Sequence, residues 1–254
     1  MNIKSLIKAM RLILLSLLTV LFTNNGLIMA KRTYEKDIIA TSAGNLEITF
    51  LGHGTLMLSL NGTIIHIDPY SNVADYTTLP KADLILVTHE HSDHLDTMAI
   101  SLIKKENTKL MYTQKCAAKY PGGIVMKNGD TGMFKNISIE AIPAYNIVHK
   151  RDANQVYHPK GEGNGYILTV GDKRIYIAGD TENTPEMKAL TNIDVAFLPM
   201  NVPYTMTPEM VADAAAAFKP KILYPYHYGD TNTQLLIDLM KNNKVTEVRI
   251  RNMK

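Results

Sequence analysis

Apolar positions along the chain fall mostly in short runs that alternate or are continuous, the signature of strands rather than helices. "LEITFLG" (46–52), "TLMLSL" (55–60) and "TIIHID" (63–68) read as three consecutive strands. The Asn61-Gly62 pair between the last two is a hairpin signal, since both residues tolerate the positive φ of a type I′ turn. A β-meander therefore opens the domain. "DLILVT" (83–88) follows as a buried strand, then a helical stretch over 97–105, "KLMYT" (109–113) as a strand and a short helix around Cys116. The second half repeats this order. "ISIEAIPA" (137–144), "GYILTVG" (165–171) and "KRIYIAGD" (173–180) are strands, the last two joined through Gly171-Asp172, and "DVAFLPM" (194–200) is another. "TPEMVADAAAAFK" (207–219) is a helix with Thr207 as N-cap and Pro208 at its first position, because a hydroxyl accepts from an otherwise unpaired N–H and proline has none to leave unpaired. "KILYPYH" (221–227), a helix in "NTQLLIDLMKNN" (232–243) and a strand "EVRIR" (247–251) close the chain. No repeat period suggests a solenoid. The expected class is layered α/β, with two sheets face to face and helices outside.

The first thirty residues stand apart. Lys4, Lys8 and Arg11 lead into "LILLSLLTVLF" (12–22), an apolar run of signal-peptide length and short for a membrane span. Small and polar residues follow, with a cleavage position after Ala30; an uncleaved anchor is the alternative. Either version implies an exported protein, with residues 31–254 as one domain. The same three basic residues account for the whole formal charge of +3, so the remainder is neutral. That argues against a nucleic-acid surface, which needs clustered lysine and arginine. With 46% hydrophobic residues the domain can bury a core without disulfides, and the single Cys116 could form none within the chain. Cys116 is expected to act as a small buried hydrophobe.

The chemistry concentrates at "THEHSDHLD" (88–96), directly after a buried strand. On an extended segment residues two apart face the same way, so His89 and His91 can grip one cation. A turn can redirect Asp93 and His94 to a second. Imidazole and carboxylate donors suit Zn²⁺, with Mn²⁺ or Fe²⁺ also compatible. Two such cations acidify water and polarise the group under attack, so no serine or cysteine nucleophile is required.

This stretch resembles the H-x-H-x-D-H signature of the metallo-β-lactamase superfamily. That resemblance implies a four-layer αβ/βα sandwich of two facing mixed sheets, a bridging aspartate after a later strand and a final histidine after another. "IYIAGDT" supplies Asp180 with Thr181 in support, and "LYPYHYG" supplies His227. "LGHGT", "IDP", "HPKGEGNGYIL" and "GDT" resemble the branch that contains ascorbate-phosphate lactonase and N-acyl-phosphatidylethanolamine phospholipase D, which implies hydrolysis of a lactone, ester or phosphodiester on a small-molecule or lipid-like substrate. A β-lactamase-type amide hydrolase and a non-catalytic metal-binding protein are the alternatives. No feature calls for a protein partner. One departure stands out: relatives place a further histidine in a "PA-x-H" pattern, whereas this chain has "PAYN" with Asn146. His158 is preferred over His149 as the missing ligand. Asp93 and His53 are the expected catalytic side chains, Asp93 orienting the nucleophile and His53 contacting substrate or water. Asp68 is expected to orient a ligand, and His66, on the same strand face, to be structural. Tyr145, Tyr204, Tyr226 and Tyr228 are candidates for either pocket or core.

Overall fold

The structure, a computed structural model, describes residues 33–254. The leader or anchor expected over 1–30 lies outside the described residues. Among the described residues no helix is long and apolar enough to cross a membrane.

Residues Tyr34–Lys254 fold around two seven-stranded sheets, each built by one half of the chain. The first takes β1 (Glu35–Thr41), β2 (Gly44–Gly52), β3 (Thr55–Leu60), β4 (Thr63–Ile67), β5 (Leu84–Leu86), β6 (Lys109–Tyr112) and β7 (Ile124–Val125), in spatial order. The second takes β8 (Thr131–Phe134), β9 (Ile137–Ala144), β10 (Gly163–Val170), β11 (Lys173–Ile177), β12 (Val195–Pro199), β13 (Ile222–Tyr226) and β14 (Glu247–Val248), also in order. Each sheet begins as an antiparallel meander and turns parallel, at β4–β5 and at β11–β12. The β4–β5 connection holds no helix, and helices make the other parallel crossovers: α1 (Thr97–Ile103) and α2 (Gln114–Lys119) in the first half, α3 (Pro185–Lys188), α4 (Pro208–Phe218) and α5 (Thr233–Met240) in the second.

Strand periodicity assigns the layers. Leu84 and Leu86 face the second sheet while Ile85 faces outward; Val195 and Phe197 face the first while Ala196 and Leu198 face outward. The inter-sheet core joins Ile48, Leu58 and Ile65 to Ile139, Leu168 and Ile175. On the first sheet's outer face, Ile85, Val87 and Leu110 pack with Ala99, Ile100 and Ile103 of α1 and Cys116 of α2. On the second's, Tyr176, Ala196 and Leu198 pack with Val211, Ala214, Ala215 and Phe218 of α4 and with α5. The four layers of the metallo-β-lactamase fold are present.

Caps start the helices where the sequence places them. Thr207 accepts from Met210 N–H to open α4. Asp96, the last carboxylate of "THEHSDHLD", accepts from Met98 and Ala99 N–H to open α1 and also takes Ser71 N–H. It is thereby committed to structure. Two ends differ from expectation. β1 precedes the expected first strand, held at its edge by Asp37, which pairs with Arg251 at 2.8 Å and accepts from Tyr224. The last strand stops at Val248, because Arg249 and Arg251 turn toward Asp37 and Tyr224.

His66 is fully buried on β4, its Nε2 on Pro80 O at 3.0 Å, and burial pushes its pKa down to about 4. An unfolded histidine protonates near 6.5, so below that pH the unfolded state takes up a proton that the folded state refuses until about 4. Stability present above pH 6.5 is lost as pH falls through this window, by up to about 3 kcal/mol. Urea midpoints of metal-free wild type and His66→Gln, compared at pH 7 and 4.5, should show the larger loss in the wild type. Parallel losses would contradict the assignment.

Candidate metal centre

The parallel ends of both sheets open on the same side, and strand carboxyl ends deliver the polar residues there. Asp68 follows β4. His89, His91, Asp93 and His94 lie between β5 and α1. Asp180 follows β11, and His227 follows β13. His158 arrives from the long β9–β10 connection, and His53 from the β2–β3 turn. His53, Asp68 and His227 all adopt positive φ (53°, 45° and 47°), a conformation that costs about 1 kcal/mol or more in non-glycine residues and gathers at functional sites. Gly179, at φ 66°, answers a tighter demand: a Cβ there would meet Asn164 O at 2.8 Å and Thr88 Cβ at 3.0 Å, where the two sheets touch beside Asp180.

The side chains converge in two groups around one carboxylate. His89, His91 and His158 bring ligand atoms within 4.8 Å of one another; so do Asp93, His94 and His227, together with His53; and Asp180 falls with His89 and His94. Asp180 Oδ2 lies 3.4 Å from His158 Nε2, 3.5 Å from His227 Nε2 and 3.9 Å from His89 Nε2, and its Oδ1 lies 3.5 Å from His94 Nε2. His149 does not join them; its Nδ1 pairs with Glu182 at 2.9 Å.

Hydrogen bonds behind the cluster fix which nitrogen of each ring points inward. Asp68 Oδ2 accepts from His94 Nδ1 at 2.8 Å and from Thr88 Oγ1 at 2.7 Å. Having given its proton away, Thr88 Oγ1 accepts from His89 Nδ1 at 3.0 Å. One carboxylate therefore turns the Nε2 lone pairs of two histidines toward the centre. Asn146 does the same for His158. Its Nδ2 donates to Glu182 Oε1 (3.1 Å) and Tyr204 O (2.9 Å), which leaves Oδ1 to accept from His158 Nδ1 at 2.6 Å. The asparagine standing at "PA-x-H" is thus the hydrogen-bond partner of His158.

Glu182 went unnoticed in the sequence. It is fully buried and accepts from the N–H groups of Ile147, Val148 and His149 at 2.6–2.7 Å. Burial raises its pKa, but these donors outweigh burial and hold it below the usual range. The only textual cue is an acid two residues after Asp180. Thr181 Oγ1 bonds Tyr145 N and O, tying the chain after Asp180 to the residue before Asn146. Of the tyrosines, Tyr204 lines the cleft, Tyr226 is buried and accepts from Gly179 N–H, Tyr145 bonds Glu186, and Tyr228 bonds Arg251 O.

The donors fit divalent metal. His94 Nε2, His227 Nε2 and Asp180 Oδ1 are buried without hydrogen-bond partners, a costly condition that a cation relieves. His89 Nε2 and His91 Nδ1 sit 3.1 Å apart, near the roughly 3.4 Å expected of two nitrogens sharing a tetrahedral ion with bonds of about 2.1 Å. Burial lowers the pKa of His89 well below 6.5 and that of His158 to about 4, so protons compete little for them at neutral pH. Burial also pulls His94 down, but Asp180 and Asp68 outweigh it and hold it well above the ordinary value. A proton there stands where cationic charge belongs. Burial raises Asp93 and Asp180, but surrounding histidines keep both well below the usual carboxylate range.

His53 Nε2 lies 3.0 Å from Asp93 Oδ2, and its ring, tilted 39° to that of His227, has its centroid 3.7 Å from that ring's. A cavity of about 680 Å³ opens over the cluster, lined also by Lys119, Arg151, Tyr157, Asn201 and Tyr204. Cys116 lies apart, its thiol pushed up to about 11 by burial.

Known proteins resemble this chain in sequence and fold. The sequence profile of the beta-lactamase superfamily domain matches residues 47–227. A "UPF0173 metal-dependent hydrolase" of Enterococcus faecalis is 36% identical over 199 residues, which cover 72% of this chain and 87% of the relative. One from Lysinibacillus sphaericus is 32% identical over 218 residues, covering 79% and 95%. A Parabacteroides distasonis protein described as a metal-dependent hydrolase has a crystal structure 50% identical in sequence, with a TM-score of 0.83, covering 87% of this chain and all of that one. A metallo hydrolase of Ignicoccus hospitalis, at 23% identity and a TM-score of 0.67, shares the fold.

Proposed function

The chain belongs to the beta-lactamase superfamily and is one of its metal-dependent hydrolases, and from this premise we propose that it binds two divalent cations, zinc in the first instance, and uses them to hydrolyse a lactone, ester or phosphodiester. His89, His91 and His158 would hold one ion, Asp93, His94 and His227 the other, with Asp180 between. The observation that carries this reading is the Asp180 carboxylate, buried among four histidine nitrogens at 3.4–3.9 Å, one of its oxygens without a hydrogen-bond partner.

When bound, the two cations would acidify a water molecule and polarise the carbonyl or phosphoryl oxygen under attack. Asp93 is held too acidic to keep a proton, so its role is to accept a hydrogen bond from the attacking water and fix its direction. His53, half-buried on Asp93, has its pKa lowered by burial, with Asp93 pulling it back. It is placed to take the proton that water releases and deliver it to the leaving oxygen. Asp68 and Asn146 hold the histidine rings while this happens.

The apolar run at 12–22 behind Lys4, Lys8 and Arg11 supports export, and the neutral body supports a small-molecule substrate over nucleic acid. The test is elemental analysis of purified protein together with a panel of a lactone, an aryl ester, bis(4-nitrophenyl) phosphate and a chromogenic cephalosporin. About two zinc equivalents are expected, with turnover of one of the first three abolished by chelation and restored by zinc. One equivalent or fewer, or a preference for the cephalosporin, would overturn the reading.

A further inference from the structure

Two basic side chains stand in the wall of the cleft over the cluster, and the site chemistry described above leaves them without a use. Lys119, the last residue of α2, donates from Nζ to Glu90 O at 2.9 Å. Glu90 lies between His89 and His91, so the ammonium is tethered to the loop that carries both. Arg151 comes from the β9–β10 connection, its guanidinium over the Tyr157 ring at 6.0 Å, and Tyr157 meets Tyr204 edge-on at 5.0 Å. Neither cation has a carboxylate within 4.0 Å among the described residues. The neighbouring Lys115 differs, being spent on Glu162 at 2.5 Å.

The charge of the cavity wall follows. Its acids are Asp93 and Asp180, and both face the histidine cluster. With cations bound there, nothing in the wall offsets Lys119 and Arg151. A cleft so lined attracts an anion, and arginine adds a planar fork suited to phosphate or carboxylate.

We propose that Lys119 and Arg151 form an anion subsite that receives a second, non-reacting anionic group of the substrate, a phosphate monoester or a carboxylate. This rests on the hydrolase reading and narrows its substrate to a compact anion, because the Lys119 ammonium is bonded to the peptide carbonyl beside His91. The reacting group lies at the histidine cluster while the anionic group anchors at the cleft wall.

The test is isothermal titration of zinc-loaded wild type and of the zinc-loaded double variant Lys119→Gln/Arg151→Gln with butyl phosphate and with butyrate. Elemental analysis confirms equal metal in both proteins, and the single variants replace the double should it fail to fold. The wild type should bind one of the two probes at least about tenfold tighter than the variant, as expected for losing two charge-assisted contacts. The tighter probe identifies phosphate or carboxylate as the group recognised. Equal affinity in wild type and variant would mean that the metal alone holds the anion, and no binding to the wild type would mean that there is no subsite; either overturns the proposal. The titration needs no turnover, so a protein that binds the probe through these residues yet hydrolyses nothing would sink the hydrolase reading and leave the subsite standing.

Discussion

Asp180→Ala is expected to drop bound zinc from about two equivalents to one or fewer and to cut turnover a thousandfold or more, a loss of about 4 kcal/mol in transition-state stabilisation. The size follows from position. Among the described residues Asp180 is the one carboxylate facing both histidine groups, and it is almost wholly excluded from solvent. Without it, the His89, His91 and His158 group keeps no carboxylate and the His94 and His227 group keeps Asp93 alone, so a cation entering the first would meet neutral ligands and the field of the other cation. Asp180→Asn keeps the shape and removes the charge. Its metal content should also fall, which separates the electrostatic role from the steric one. Chelation should lower the melting temperature of the wild type far more than that of either variant, because ligand binding stabilises only a protein that binds. Full metal retention in Asp180→Ala would end the bridging assignment.

Much of this centre was legible because its parts are local in sequence. The four donors between His89 and His94 occupy six positions after a strand whose apolar run is unmistakable, and Asp180 and His227 each close another such run. The sheets were legible for the same reason, down to the Asn61-Gly62 turn and the Thr207 cap. What escaped depends on partners distant in the chain. β1 has a mostly exposed pattern, and its edge is held by Tyr224 and Arg251, nearly two hundred residues or more away. β8 and α3, of four residues each, are too short to show a period. Glu182 reads as one acid among several in "GDTENTP", and only folding brings it under the backbone of 147–149. Lys119 and Arg151 belong to unremarkable polar stretches that the sheets carry to one cleft. The choice among Asn146, His149 and His158 turned on which ring faces Asp180, and spacing alone carries no such information.

That choice yields the second large effect. His158→Ala should remove the ion held with His89 and His91 while leaving the Asp93, His94 and His227 group able to keep its own, so metal content falls to about one equivalent and turnover by a hundredfold or more. His149→Ala should leave the metal content unchanged, since His149 lies against Glu182 and outside the cluster. Asn146→Ala lies between the two. It removes the acceptor that fixes the His158 ring, and loss of such a partner weakens metal binding by about 10- to 100-fold. At saturating zinc this variant should recover most of its metal, whereas His158→Ala should not. Glu182→Gln should resemble Asn146→Ala, because a neutral amide accepts less strongly from the three backbone N–H groups and the Asn146 amide that Glu182 now gathers. A graded series in zinc affinity, with His149→Ala unaffected, is the outcome the geometry demands. If His149→Ala lost metal and His158→Ala did not, the β9–β10 connection would hold its ligand in the opposite order, and the Asn146 contact would have to belong to some other task.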